Sequence, residues 1–291
     1  MKTKLFFAIS ATILLASCEE IFVTETNLNL NLTEPVFNAT IEGNFSSTRT
    51  SLSDYTNSDG CYSLHWTSGD AISISDGTTS AVFTTNDDYS STAEFTCLEG
   101  RINNRASQYT AFYPSTITSS NMVLPATQNY VSKNVENFPM RAVSTNKELA
   151  FKNLCGIIRL SLKSESNNQL SVSSIALSAD KGMSGTFTVG YDNAALVSGT
   201  DGVVLNCITP ELLYESYATD FNIIVPQGDY NPLKIKICDA TGKEVNLVSE
   251  GSISVKRSEI TRITLTLAKS TFDTSLETIP ITDADVDFTE R

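Results

Sequence analysis

Apolar residues recur at every second position in run after run of this chain, and that period decides what it can fold into. Tyr62, Leu64 and Trp66 alternate with Ser63 and His65. Leu154, Gly156, Ile158, Leu160 and Leu162 fall on one face of a long run, with Arg159, Ser161 and Lys163 opposite. The same beat returns in Phe187-Val189-Tyr191, Phe221-Ile223-Val225, Leu233-Ile235-Ile237 and Ile263-Leu265-Leu267. Successive side chains of a strand point to opposite faces, so this pattern predicts antiparallel sheets with one buried face. Ser58-Asp59-Gly60, Asp76-Gly77 and Ala240-Thr241-Gly242 supply hairpin turns between such runs. Helical period is scarce: Tyr130 to Phe138 offers one or two turns, and Thr209-Pro210-Glu211 reads as a helix cap. The chain is expected to be all-β, with two antiparallel β-sandwiches in tandem.

A chain of 291 residues suggests about two domains at ~100–150 residues each. Its 41% hydrophobic content suffices for real cores and excludes global disorder. The polar stretch Ser164 to Gln169 marks the boundary, giving domains at 36–165 and 166–270. From Phe272 onward the chain turns acidic, yet Ile279 and Ile281, then Val286 and Phe288, still alternate. A solvated tail has no need of that pattern, so 271–291 is expected to be a tail that pairs with a sheet, its own or a neighbour's.

The N-terminus carries Lys2 and Lys4, then the apolar, uncharged run Leu5 to Ala16, which reads as a secretory signal covering 1–17. That run is too short for a bilayer core of ~30 Å. Leu15-Ala16-Ser17-Cys18 resembles the lipobox of bacterial lipoproteins. The resemblance implies that Cys18 is acylated and becomes the new N-terminus, with 18–35 as an arm between lipid and domain. Several acyl chains together anchor stably where one does not.

The formal charge is −13, and loss of Lys2 and Lys4 with the signal leaves 18 basic against 33 acidic residues, or −15. A nucleic-acid binder carries the opposite balance, so nucleic acid is excluded as a partner. Cys61, Cys97, Cys155, Cys207 and Cys238 are widely spaced, with neither a Cys-x-x-Cys pair nor zinc-site spacing. Alternation around Cys97 and Cys207 favours buried thiols over a disulfide framework.

Constellations that carry chemistry fail one after another. The single histidine, His65, has no partner for a His-Glu-x-x-His site and sits as a strand-face residue. Gly182-Met183-Ser184-Gly185-Thr186 misses the nucleophile elbow at its last position. Tyr55 to Gly60 imitates half an EF-hand loop, but tyrosine holds the first ligand position and Trp66 the twelfth. Asp87-Asp88 reads as a solvated face. The expectation is a non-enzyme with no catalytic residues, metal or cofactor.

Short motifs in a fixed order point elsewhere. Thr48-Arg49-Thr50 precedes Trp66-Thr67-Ser68-Gly69-Asp70-Ala71-Ile72, then Tyr109-Thr110-Ala111-Phe112-Tyr113-Pro114 and Leu124-Pro125-Ala126-Thr127-Gln128. Phe138-Pro139-Met140 and Phe151 to Gly156 close the first half. Ile175-Ala176-Leu177 before Gly185, Phe221 to Pro226, and Leu233 to Asp239 mark the second. This succession resembles the fimbrillin-like family of outer-membrane lipoproteins and type V pilus subunits, over roughly residues 36–268. The resemblance implies two transthyretin-like sandwiches and a surface-exposed place in a fimbrium on the outer membrane. It also implies other pilus subunits as partners, through strand exchange. In that scheme a protease cuts after an arginine near the N-terminus, a first strand leaves, and a neighbour's terminal strand fills the groove. Arg49, the first arginine of the chain, follows the strand-like Phe37-Ala39-Ile41 and fits that position. In the physical reading, Trp66 anchors the first core, Gly69-Asp70 turns the chain, and Pro114 and Pro125 end strands. Phe151 and Leu154 begin the long strand that closes the first domain. A second reading is a non-polymerising surface lipoprotein that binds glycan or host protein through Tyr214, Tyr217 and Tyr230.

Overall fold

In the computed structural model, seven strands of the first half close into a barrel, which an open pair of sheets does not require. The structure describes residues 34–42, 64–118, 120–132, 134–165, 170–190, 194–196, 199–200, 202–273 and 278–290. The first half runs β1 (Phe37–Ile41), β2 (Ala71–Ser75), β3 (Ser80–Thr85), β4 (Thr92–Gly100) and β5 (Tyr109–Tyr113). There follow β6 (Asn121–Leu124), β7 (Thr127–Asn129), β8 (Met140–Ser144), β9 (Glu148–Asn153) and the long β10 (Cys155–Ser164). The barrel order is β1-β4-β3-β2-β5-β8-β9, closed where β1 lies antiparallel to β4 and parallel to β9. Two tandem transthyretin-like sandwiches are therefore not what the first half displays, although the chain is all-β as expected.

Alternation builds these strands as predicted: β1 buries Phe37, Ala39 and Ile41 and exposes Asn38 and Thr40. Asp76-Gly77 turns β2 into β3, with Gly77 at φ +91°. Amides of Asn103, Thr79 and Thr78 donate to the Asp76 carboxyl and hold it well below the usual carboxylate range. Pro114 and Pro125 each follow the last residue of a strand, β5 and β6. Trp66 makes an isolated bridge to Ser90 in place of a strand, and its indole is fully buried. Phe95, Tyr113 and Phe151 surround it edge-on, with ring centroids at 5.0, 5.6 and 5.3 Å.

The second half contains β11 (Ser171–Ser178), β12 (Gly185–Val189), β13 (Ala194–Leu196), β14 (Gly202–Leu212), β15 (Thr219–Pro226) and β16 (Gly228–Tyr230). It goes on through β17 (Lys234–Asp239), β18 (Glu244–Ser249), β19 (Ile253–Val255) and β20 (Ile260–Leu267). The one-turn helix α1 (Lys269–Asp273), β21 (Thr278–Ile281), a 3-10 turn at Asp283–Asp285 and β22 (Val286–Glu290) complete it. A four-stranded sheet, β15-β10-β20-β22, and a six-stranded sheet, β21-β18-β17-β11-β14-β7, share one apolar cluster.

The halves interlace. β10 does not close the barrel; its partners are β15 and β20, both from the second half. β6 pairs with β12, and β7 runs parallel to β14. Residues 34–291 accordingly form one compact unit. Ile157, Ile224 and Ile260 turn to the first core while Ile158, Leu160 and Ile263 turn to the second. The face of β10 expected to meet solvent is therefore also buried: Arg159 and Ser161 are each 2% exposed. Their polar groups are met by Asn222 at 2.8 Å and Asp220 at 2.6 Å, as burial demands.

Neither of two expected helical pieces forms among the described residues. Thr209-Pro210-Glu211 lies inside β14, at a bulge-like irregularity where the ladder to β11 jumps from Val172↔Glu211 to Ser174↔Asn206. A bulge tolerates the missing proline donor, so the cap signal was a bulge signal. The described residues of Tyr130 to Phe138 form a turn, with Val135 and Phe138 driven into the first core.

Candidate functional site

The slot that holds β1 is the best-defined recognition feature among the described residues. On one side the register runs Phe37↔Phe95, Ala39↔Ala93 and Thr40↔Thr92 against β4. On the other it runs Ala39↔Leu149 and Ile41↔Phe151 against β9. Both edges of the strand are thus paired, and its ends are tied by Asn38 N–H to Lys147 O at 2.9 Å and Glu42 N–H to Phe151 O at 2.8 Å. Phe37 sits edge-on to Phe83 and Tyr109, with ring centroids at 5.1 and 5.0 Å. Backbone pairing gives such a slot affinity, and pockets for alternate side chains give it selectivity.

A polar clasp secures the downstream end of β1. Oε1 of Glu42 accepts from the Asn153 backbone N–H at 2.6 Å, from Ser258 Oγ at 2.8 Å and from the Arg257 guanidinium. Arg257 also donates to Asn153 O at 3.1 Å, and Asn153 Nδ2 donates to Ser258 Oγ at 3.1 Å. The loop between β19 and β20 thereby reaches back to the first strand of the chain. Sequence reading missed this group, because Glu42 and Arg257 lie on opposite ends of the chain and no local pattern links them.

Cys18 and Arg49 lie outside the described residues, as do Cys61 and the Tyr55 to Gly60 turn. Of the three tyrosines considered as contacts, Tyr214 and Tyr217 are exposed and stack at 4.4 Å with an interplanar angle of 21°. Tyr230 is a correction: it is 1% exposed and its hydroxyl donates to Pro226 O at 2.6 Å, so it is a packing residue. His65 is fully buried with its ring 4.9 Å from that of Tyr89. Ser184 is also buried, its hydroxyl spent on Gly202 O and on Thr200 Oγ1, each at 2.7 Å. Cys155 and Cys207 are buried free thiols, while Cys97 and Cys238 are free and half-buried. Burial pushes the Cys155 thiol up to about 12 and that of Cys207 to about 11. Among the described residues, no group of three His, Cys, Asp or Glu is placed to hold a metal ion.

The tail folds onto the second half. β21 runs parallel to β18 on the edge of the six-stranded sheet, and β22 antiparallel to β20 on the edge of the four-stranded one. Ile281 and Phe272 are buried in the second core.

No family model and no curated protein matches the chain. Solved structures similar to it include a candidate cell adhesion protein of Bacteroides ovatus, at 14% identity and TM-score 0.49, over 69% of this chain and 83% of that one. Another is a candidate cell adhesion protein of Bacteroides uniformis, at 17% identity and TM-score 0.47, over 76% and 93%. The tip fimbrial protein Mfa3 of Porphyromonas gingivalis, with a C-terminal truncation, is similar at 8% identity and TM-score 0.36, over 80% and 95%. The structural neighbours are thus fimbrial and cell-adhesion proteins, the class that the ordered motifs resemble.

Proposed function

We propose that the chain is a fimbrillin-like outer-membrane lipoprotein, anchored through acylated Cys18, that serves as a structural or adhesive subunit of a surface pilus. Cleavage after Arg49 frees the segment that contains β1, and a neighbouring subunit's terminal strand takes its place. One observation carries this reading: β1 is a short strand, upstream of Arg49 in the chain, that completes the barrel by main-chain pairing on both edges. Its removal leaves unpaired edges on β4 and β9 and empties the places of three buried side chains. Such an edge is a template for another strand. Electron microscopy of the mature protein, with and without arginine-specific protease, tests it. Fibres or ladders are expected only after cleavage, and not from Arg49→Gln. Cleaved protein that stays monomeric contradicts the reading.

The stacked, exposed Tyr214–Tyr217 pair favours a second reading, a non-polymerising lipoprotein that binds glycan or host protein. Flat aromatic faces present contact area at low entropic cost. Tyr214→Ala/Tyr217→Ala should then abolish adhesion to host cells, with or without cleavage. Adhesion unchanged in that variant removes the reading.

A further inference from the structure

We infer that the Asn153 amide, Arg257 and Ser258 form a carboxylate receptor at the end of the β1 slot, and that it sets the register of the strand lying there. The inference rests on the strand-exchange reading. Its ligand class is an extended peptide with three alternating inward side chains followed directly by Asp or Glu, as in Phe37, Ala39, Ile41 and Glu42.

Main-chain ladders carry no sequence information, and a slip of two residues keeps the same alternation facing inward. The β1 slot therefore needs something more than its ladders to fix position. Three donors meeting on one oxygen, Glu42 Oε1, supply it. Only one register places the carboxylate there. Both partners of the Glu42–Arg257 pair are 24% exposed, so they are partly shielded and more selective than an open surface pair. Ser258 holds φ +62°, an uncommon conformation for a residue with a Cβ, in presenting its hydroxyl to the carboxylate.

Once Glu42 departs with its strand, a guanidinium, an amide and a hydroxyl stand ready at the end of the slot. An incoming strand with an acid at the matching position restores all three bonds. A strand with glutamine there restores fewer, and one slipped by two residues restores none.

Mature full-length protein cut after Arg49, with loss of the upstream segment verified by mass spectrometry, is titrated with a fluorescein-labelled peptide spanning 34–43 and with its Glu42→Gln form. The Gln peptide should bind about tenfold more weakly, as loss of charged hydrogen bonds predicts. Arg257→Gln protein should lose that preference, and Ser258→Ala, a milder change, should reduce it a few-fold. Equal affinity for the two peptides overturns the receptor and leaves strand exchange standing. A preference that survives both substitutions places the acid's recognition elsewhere and also overturns it. If Arg49 resists cleavage in the folded protein, or if neither peptide enters the emptied slot, strand exchange and the receptor fall together.

Discussion

Trp66 spends its whole indole on packing: it is fully buried, three rings press on it edge-on, and its Nε1–H meets no acceptor among the described residues. Trp66→Ala should cost about 3–5 kcal/mol in denaturant unfolding, the range for large aromatic truncations. Trp66→Phe keeps an edge-on ring and deletes the unmet donor, so it should cost less than half as much. Cys155 makes a different residue-scale prediction. Its thiol is ordinary in the unfolded chain, near 9, and pushed up to about 12 by burial in the fold. Between those values the native state holds a proton that the unfolded state has lost, so stability must fall as pH rises from about 9 to 12. Cys155→Ala should flatten that decline, as read from urea midpoints across the alkaline range. At Glu42 and Arg257, amide exchange of Phe37–Ile41 should quicken about tenfold in either Gln variant. The double variant should add little, because each change breaks the same clasp.

Among the strands, β10 is packed closely enough at Gly156 to leave no room for one added carbon. At Gly156 a Cβ would lie 2.3 Å from Lys256 O and 2.5 Å from Val255 Cγ1, so glycine is required by the close approach of the β19–β20 loop. Gly156→Ala should cost about 1–3 kcal/mol or more, by thermal unfolding, as overpacking against backbone does. β10 also shows how far the sequence was legible. Its period of two correctly announced a strand, and the face of Ile158, Leu160 and Leu162 is the buried one expected. Arg159 and Ser161 read as solvent-facing, because a pattern cannot show that another core will cover the second face or that Asn222 and Asp220 will meet the polar atoms. Pro210 likewise carried a real irregularity under the wrong name, since a proline that breaks a helix also marks a bulge. β1 was legible as a strand from Phe37-Ala39-Ile41, but its ladder to β4 depends on residues more than fifty positions away, and its ladder to β9 and its clasp on residues more than a hundred away. No local signal reports such pairings.

For the molecule as a whole, the tail pairs with its own sheets, the first of the two alternatives its alternation left open, and so becomes part of the fold. Deleting 272–291 removes Phe272 and Ile281 from the second core. That truncation should lower stability by roughly 3 kcal/mol or more. Deleting 286–291 removes only edge strand β22 and should cost far less, by the same denaturant measurement. The central claim is that β1 is a removable member of the barrel whose place another strand can take. Hydrogen–deuterium exchange along β4 and β9 tests this most directly, comparing intact protein, protein cut at Arg49 and freed of its upstream segment, and assembled material. Amides from Thr92 to Phe95 and from Glu148 to Phe151 should be protected in the intact chain, lose protection when the segment departs, and regain it on assembly. Protection that persists unchanged after the segment has gone would contradict the account.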